Sequence, residues 1–243
     1  MAHETYIRLV SGADTAILFI HGILGTPDHF SFFLPLIPDD ISIVNLLLDG
    51  HGKGVREFSQ TSMKKWESQV NEAVDQLLAN HKKVYIAAHS LGTLLAIEQA
   101  VKKPVAGLFL LAVPICLAIK PRVIATCWKV YRDNIPASDL YTIAAKNCCS
   151  ITQHRNLLLY LGWIPRFLEL LIKIQKTRKL LPSLTVSVSA YQSLQDELVS
   201  TASVSYLTLN RCMDVSTLKH STHYYYAPKD IAFLQEEFIR HFL

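Results

Sequence analysis

The chain has 243 residues, of which 50% are hydrophobic and 18% are charged, so it can bury the core of one sizeable domain and is not a disordered protein. Its net charge of +4 is spread thinly, and the densest basic run, residues 173–179, lacks interleaved aromatic residues. We interpret that run as a solvated helix end, which argues against a nucleic-acid or anionic-lipid partner.

The cysteines, the apolar runs and the first residues bear on the cellular compartment of the protein. The five cysteines form no Cys-x-x-Cys pair, so we expect neither a zinc site nor a disulfide framework. The longest apolar run, residues 105–119, is interrupted by Pro114 and is too short to cross a bilayer. Because the first residues also lack a leader pattern, we expect a cytoplasmic protein with no integral membrane segment.

Strand and helix patterns alternate over the first half of the chain. An edge strand is predicted at residues 4–10, and apolar runs of strand length follow at 15–20, 41–48, 83–88 and 105–113. Helices are predicted between them, at residues 28–36, at 66–80 and from Leu91 to just before Pro104. This alternation predicts an α/β fold with a doubly wound, mostly parallel sheet.

The pattern changes after residue 113, where prolines, aromatic residues and short helical patches replace the alternation. Regular elements resume with a helix near residues 167–174, and the last of them is a helix that begins at Pro228. Between these, strands are predicted at 184–190 and 215–218, with a helix at 197–205. We therefore expect a core of residues 1–113 and 166–243 with a small helical lid inserted at 114–165, here named the cap segment.

Ser90 lies at a predicted strand-to-helix corner, in the sequence Ala88-His89-Ser90-Leu91-Gly92. So tight a turn requires small residues two positions before and after the serine, and Ala88 and Gly92 meet that requirement. We expect Ser90 to adopt an unfavourable backbone conformation that exposes its hydroxyl above the sheet. The stretch resembles the Gly-x-Ser-x-Gly nucleophile elbow of α/β-hydrolases, with alanine in place of the first glycine.

Four further motifs extend this resemblance to small bacterial carboxylesterases and monoacylglycerol lipases. These are the glycine loops at residues 21–25 and 49–52, the acidic loop at 193–199 and the histidine loop at 219–224. The resemblance covers nearly all of the chain outside the cap segment. It implies an α/β-hydrolase fold and a serine hydrolase without a cofactor or a metal ion.

The resemblance also assigns the catalytic residues. Ser90 is the expected nucleophile, Asp196 the expected acid and His223 the expected base. Glu197 and Asp214 stay open as alternatives to Asp196.

Two backbone groups and one further histidine complete these assignments. The backbone N–H groups of Ile23 and Leu91 are the expected oxyanion hole. His220 is interpreted as a loop histidine at the rim of the pocket.

The remaining candidates concern substrate binding. Trp128, Tyr131 and Trp163 of the cap segment are candidates to line an acyl pocket, with packing inside the cap as the alternative. His21 and His51 are interpreted as residues that hold loops together.

The function expected from these residues is hydrolysis of small to medium, fairly hydrophobic acyl esters through an acyl-enzyme. The alternatives are a peptidase, an amidase or a thioesterase on the same residues, or a ligand binder without catalysis. The expected partner is a small-molecule ester. The sequence does not indicate an oligomeric state.

Overall fold

The computed structural model describes residues 3–242, which are built around one β-sheet. Within that range seven strands pair in the order β1-β3-β2-β4-β5-β6-β7. Every neighbouring pair is parallel except β1 and β3 at one edge. The strands are β1 (Tyr6–Arg8), β2 (Thr15–Ile20), β3 (Ser42–Leu46), β4 (Lys83–His89), β5 (Gly107–Leu111), β6 (Val188–Ser193) and β7 (Met213–Leu218). The predicted doubly wound, mostly parallel sheet is confirmed.

Helices cover both faces of this sheet. They are α1 (Val55–Gln60), α2 (Met63–Asn80), α3 (Leu91–Lys102), α4 (Pro121–Arg132), α5 (Leu140–Asn147), α6 (Ile164–Leu180), α7 (Ala202–Leu207) and α8 (Pro228–Phe242). Short 3₁₀ turns lie at Pro27–Phe30, Leu34–Leu36, Leu157–Trp163 and Leu181–Ser183.

The central strand β2 shows why its sequence is a continuous apolar run. Ala16, Leu18 and Ile20 belong to the core on one face of the sheet, and Ile17 and Phe19 belong to the core on the other. Successive side chains of a strand point to opposite faces, and both faces here are covered. Polar residues at either set of positions would therefore be buried without partners.

Two helices illustrate how each face is closed. On α2 the residues Trp66, Val70 and Val74 recur at helical spacing and are fully buried. On α8 the residues Leu234 and Phe238 do the same against the opposite face. These amphipathic stripes are the signal from which both helices were predicted.

The helix predicted at residues 28–36 is wrong, because the segment forms two separate 3₁₀ turns. The first turn is capped by Thr26, whose hydroxyl accepts a hydrogen bond from the N–H of Asp28. Pro35 lies inside the second turn and has no N–H to donate, so a regular α-helix cannot run through it.

Two later boundaries also differ from the sequence prediction. Strand β6 begins at Val188 and not at residue 184, whose carbonyl oxygen accepts the side-chain amide of Asn210. The helix predicted at 197–205 begins only at Ala202. The backbone of residues 197, 198 and 200 forms hydrogen bonds with that of residues 120, 118 and 116, which holds this segment extended before the helix.

The cap segment contributes no strand to the sheet within the described residues. It contains α4, α5 and the 3₁₀ turn Leu157–Trp163, and α6 leads from it back to the sheet. Its C-terminal end is attached to α1: the indole N–H of Trp163 donates to the carbonyl oxygen of Val55 at 3.2 Å. The division into core and cap stays a prediction.

Candidate active site

Ser90 is the single residue between β4 and α3, and its backbone is strained. Its φ and ψ are 50° and −121°, a conformation that non-glycine residues rarely adopt. The N–H of Ser90 donates to the carbonyl oxygen of Leu111 on β5 at 2.9 Å, which holds the corner in place. A side chain at Gly92 would lie 2.1 Å from the carbonyl oxygen of Ile20, so this position must be glycine.

His223 connects Ser90 to a buried carboxylate. The Nε2 atom of His223 lies 3.1 Å from the Oγ of Ser90, and its Nδ1 lies 2.8 Å from an oxygen of Asp196. All three side chains are buried, although 133 residues separate Ser90 from His223 in sequence. The loops after β4, β6 and β7 bring them together, because parallel strands end at the same edge of the sheet.

The rival residues occupy other positions. The carboxylate of Glu197 accepts the backbone N–H of His223 at 3.2 Å and pairs with Arg122, so it contacts the main chain of His223 and not its ring. Asp214 is exposed near the start of β7, at the opposite end of the strand from His223. His220 is exposed, and its N–H donates to Asp230.

The charges of His223 and Asp196 stabilise each other. Burial lowers the pKa of His223, but the adjacent carboxylate of Asp196 outweighs it, and the net pKa lies above the ordinary value of 6.5. Burial raises the pKa of Asp196, whereas His223 and the N–H groups of Leu198 and Val199 lower it, and the net pKa is below its ordinary value. The pair therefore favours an ionised carboxylate beside an imidazole that readily accepts a proton.

Two backbone donors lie near Ser90 without partners of their own. Within residues 3–242, neither the N–H of Ile23 nor that of Leu91 donates a hydrogen bond to another protein group. Leu91 is the first residue of α3, so its N–H belongs to the free N-terminal donors of that helix. The loop that carries Ile23 approaches closely, because a side chain at Gly22 would lie 2.9 Å from the Cβ of Ser90.

The sequence matches the model of the alpha/beta hydrolase family over residues 17–214. The chain belongs to this family. A curated relative, the dihydrolipoyllysine-residue acetyltransferase component of the acetoin cleaving system of Cupriavidus necator, is 31% identical over 99 residues. That match covers 41% of the chain, and the chain spans only 26% of the length of this relative.

Solved structures resemble this hydrolase over nearly its whole length. A structure reported with LipS and LipT, two metagenome-derived lipolytic enzymes, is 16% identical, with a TM-score of 0.75 and coverage of 98% of this chain and 96% of that one. The monoacylglycerol lipase of Paleococcus ferrophilus is 14% identical, with a TM-score of 0.67 and the same coverage. The thioesterase domain of the curacin biosynthetic pathway is 15% identical, with a TM-score of 0.62 and coverage of 98% and 100%. At these identities the likeness establishes the fold.

His21 and His51 of the hydrolase connect its glycine loops. The Nε2 of His21 accepts the N–H of Leu48 at 3.0 Å, and the Nε2 of His51 accepts the N–H of Leu24 at 3.2 Å. Both rings are buried beside each other, with centroids 4.7 Å apart. Burial lowers the pKa of His51 to about 4 and lowers that of His21 well below its usual value. These contacts are those expected of neutral histidines that hold loops.

Two contacts of His223 were not found from the sequence. His89, the residue before Ser90, donates its Nε2 hydrogen to the carbonyl oxygen of His223 at 3.0 Å. Together with the contact from Glu197, this bond fixes the main chain of His223 on both its N–H and its carbonyl side. The partners are 134 and 26 residues apart in sequence, so no local pattern indicates either contact.

The three cap aromatics line one apolar cavity of about 440 Å³. Trp128 and Tyr131 come from α4, and Trp163 comes from the end of the 3₁₀ turn. Leu24, the neighbour of Ile23, forms part of the same wall. The cavity therefore begins one residue away from the expected oxyanion donor.

The described residues also bear on metal binding, membrane insertion and thiol chemistry. Within residues 3–242, no three histidine, cysteine or acidic side chains are grouped so as to bind a metal ion. No helix in this described part is long and apolar enough to span a bilayer. The five cysteines are all free thiols, and burial raises the pKa of Cys148 to about 12.

Proposed function

We propose that this protein is a serine carboxylic-ester hydrolase that works through an acyl-enzyme. The proposal is supported above all by the continuous hydrogen-bonded path from the Ser90 hydroxyl through His223 to Asp196. The strained corner at Ser90 supports it further, because such strain persists where a side chain must be presented to a substrate.

The proposed reaction starts when the Oγ of Ser90 attacks the ester carbonyl carbon. His223 takes the proton at Nε2, while Asp196 holds the Nδ1 hydrogen and stabilises the imidazolium. The N–H groups of Ile23 and Leu91 stabilise the oxyanion, each by about 2.7–4 kcal/mol. The intermediate then collapses to the acyl-enzyme, and His223 protonates the departing alcohol. A water molecule repeats the sequence and releases the acid.

We propose that the apolar cavity holds the acyl group. Its wall consists almost entirely of apolar and aromatic side chains, and its volume of about 440 Å³ lies within the range of small-ligand pockets. Leu24 places the wall next to the oxyanion donor Ile23. This arrangement favours small to medium, fairly hydrophobic acyl groups over both acetate and long chains.

Thioester hydrolysis is the second candidate. A thioester presents the same acyl group and differs only in the leaving atom, so the same three residues and cavity serve it. The full-length likeness to a thioesterase domain is the observation that favours it.

Hydrolysis of p-nitrophenyl esters from acetate to palmitate tests the proposal. Ser90→Ala is expected to lose at least about 10³-fold in kcat, as removal of a catalytic nucleophile does. Ser205→Ala, an exposed serine on α7, serves as the matched control and should retain activity.

Each other outcome has a defined meaning. Activity that survives in Ser90→Ala would contradict the role of Ser90. Equal kcat/KM for acetate and palmitate would contradict the proposed acyl preference. If wild type cleaves the thioesters of the same acids much faster, the second candidate replaces the first. A protein that cleaves nothing and resists labelling by a fluorophosphonate would be a binder.

A further inference from the structure

A row of large apolar side chains lies uncovered on the outside of the cap. Leu158 and Leu161 in the 3₁₀ turn and Ile164, Leu168 and Leu171 on α6 are 72%, 60%, 52%, 54% and 48% exposed. Their spacing of three or four residues places them on one side of a nearly continuous helix. We name these five residues the outer stripe.

The outer stripe adjoins the apolar cavity. Leu157, directly before it, lines the cavity together with Ile124 and Trp128 of α4. Ile124 and Trp128 are themselves 72% and 52% exposed, so they belong to the cavity wall and to the surface at once. The exposed apolar surface is therefore continuous with the lining of the cavity.

This part of the molecule is also strongly basic. Residues 115–180 contain eleven lysines and arginines but only three acidic residues, although the whole chain has a net charge of +4. Each of the three acids is already paired with a lysine or arginine of the same segment. Five exposed basic side chains have no carboxylate partner within residues 3–242: Lys120, Arg132, Arg155, Lys176 and Lys179.

The structure changes the interpretation of the basic run at residues 173–179. Lys173 is buried and paired with Glu67 and Glu98, so it is not part of any surface. Lys176 and Lys179 are exposed on α6, five and eight residues beyond Leu171, the last residue of the outer stripe. The exposed apolar residues that accompany these two lysines are supplied by the preceding turns of the same helix.

We propose that the outer stripe, together with Lys176 and Lys179 of the same helix, docks the protein on an anionic lipid surface. A helix with leucine and isoleucine on one side and lysine nearby lies in the plane of a bilayer interface. Anionic headgroups attract lysine and arginine close to the surface. In this orientation an apolar substrate passes from the lipid into the cavity beside Leu157.

A second copy of the chain fits this surface less well. A twofold interface places the same patch of both copies face to face. The uncompensated lysines and arginines would then oppose each other, whereas an anionic bilayer neutralises them. The proposal does not depend on which bond Ser90 cleaves, since it concerns only the outside of the cap.

Flotation with lipid vesicles tests the proposal, with binding measured for wild type and for Ser90→Ala. Both are expected to bind vesicles of phosphatidylcholine mixed with phosphatidylglycerol, and to bind phosphatidylcholine alone far more weakly.

The paired substitution Leu168→Ser with Leu171→Ser should weaken binding by about tenfold or more. Leu209→Ser, which changes an 80% exposed leucine elsewhere, is the matched control. Replacing Lys176 and Lys179 with glutamine should weaken binding about fivefold for each residue.

Several results would overturn the proposal. These are no binding to the anionic vesicles, equal binding by the paired leucine variant, or a dimer in light scattering that this variant abolishes. Circular dichroism shows whether the variant is folded. Hydrolysis of dissolved p-nitrophenyl butyrate does not require docking. A leucine variant that still hydrolyses this ester but no longer binds vesicles has therefore lost docking and not its active site.

Discussion

Asp196 uses both of its carboxylate oxygens for different partners. One oxygen faces the Nδ1 of His223, and the other accepts the N–H groups of Leu198 and Val199 at 2.7 and 2.8 Å. Its neighbour Glu197 engages only the main chain of His223 and the side chain of Arg122. Two adjacent acids thus act on the ring and on the backbone of the same histidine.

Asp196→Asn is expected to lower kcat by about 10⁴-fold, because an amide no longer holds the imidazole in the required tautomer. The base must be neutral to accept a proton, so wild-type kcat/KM should fall as the pH drops through a His223 pKa above 6.5. Removing the carboxylate should move this acid limb to lower pH. The pH–rate profiles of the wild type and of Asp196→Asn measure this shift of the acid limb.

Two substitutions serve as references for this measurement. Asp214→Asn changes an exposed acid on β7 and should leave the profile unchanged. Glu197→Gln should lower kcat far less than Asp196→Asn does. A larger loss in Glu197→Gln would show that the acid has been assigned to the wrong residue.

Lys173 joins three helices at a buried point. Its ammonium group, 3% exposed, pairs with Glu67 on α2 and with Glu98 on α3. Since α3 begins directly after Ser90, this contact ties the returning helix α6 to the helix behind the proposed nucleophile.

Lys173→Met should lower the free energy of unfolding by about 1–3 kcal/mol, because it leaves two partly buried carboxylates facing each other. For a domain of this size, each kcal/mol corresponds to a drop in Tm of about 2–4 °C. Urea denaturation measures the change. Lys102→Met, which removes the exposed partner of Glu98, should cost less than about 0.5 kcal/mol. Equal losses of unfolding free energy in Lys173→Met and Lys102→Met would contradict the view that burial makes the Lys173 ion pairs more stabilising.

The strands and long helices were predictable because each is coded by its own residues. The run at β2 and the stripe on α2 carry the periods of a covered strand and an amphipathic helix. The start of α7 was not, because it depends on the pairing of residues 197–200 with residues 116–120, which are distant in sequence. The two 3₁₀ turns after Thr26 replace the predicted helix because Pro35 has no N–H to donate within that apolar run.

Four buried histidines should make the whole molecule sensitive to acid. Burial lowers the pKa of His29 to about 3 and that of His51 to about 4, and it lowers those of His21 and His89 well below 6.5. The unfolded chain takes up these protons first, so stability is lost as the pH falls below about 6.5 toward the folded-state values. His223 acts in the opposite direction, since its contribution is complete below pH 6.5 and is lost as the pH rises through its raised pKa.

Tm measured between pH 7 and pH 5 should therefore fall, with each buried histidine contributing up to about 1.4 kcal/mol per pH unit. Carboxylates titrate mainly below this window. His51→Gln should reduce the slope of Tm against pH, and the exposed His220→Gln should not. A Tm that stays level over this range would contradict the neutral state of these rings.

At the scale of the site, the sequence indicated which residues to consider but not how they meet. Ser90, Asp196 and His223 are assigned by the resemblance of their loops to those of α/β-hydrolases, and their catalytic roles stay predictions. The contact of His89 with the main chain of His223 and the enclosure of the apolar cavity depend on residues far apart in sequence. Such pairings follow from the strand order, which apolar periodicity does not specify.

The place of the cap segment in the chain has an evolutionary consequence. Strands β5 and β6 are direct neighbours, with Leu108 opposite Val188, and all residues between them form one connection outside the sheet. Insertions, deletions or exchanges in that connection leave the register of the sheet unchanged, provided that they spare Lys173 and the residues 116–120 that pair with the loop after Asp196. Descendants of such a gene can therefore acquire new preferences in this connection while inheriting the older chemistry intact.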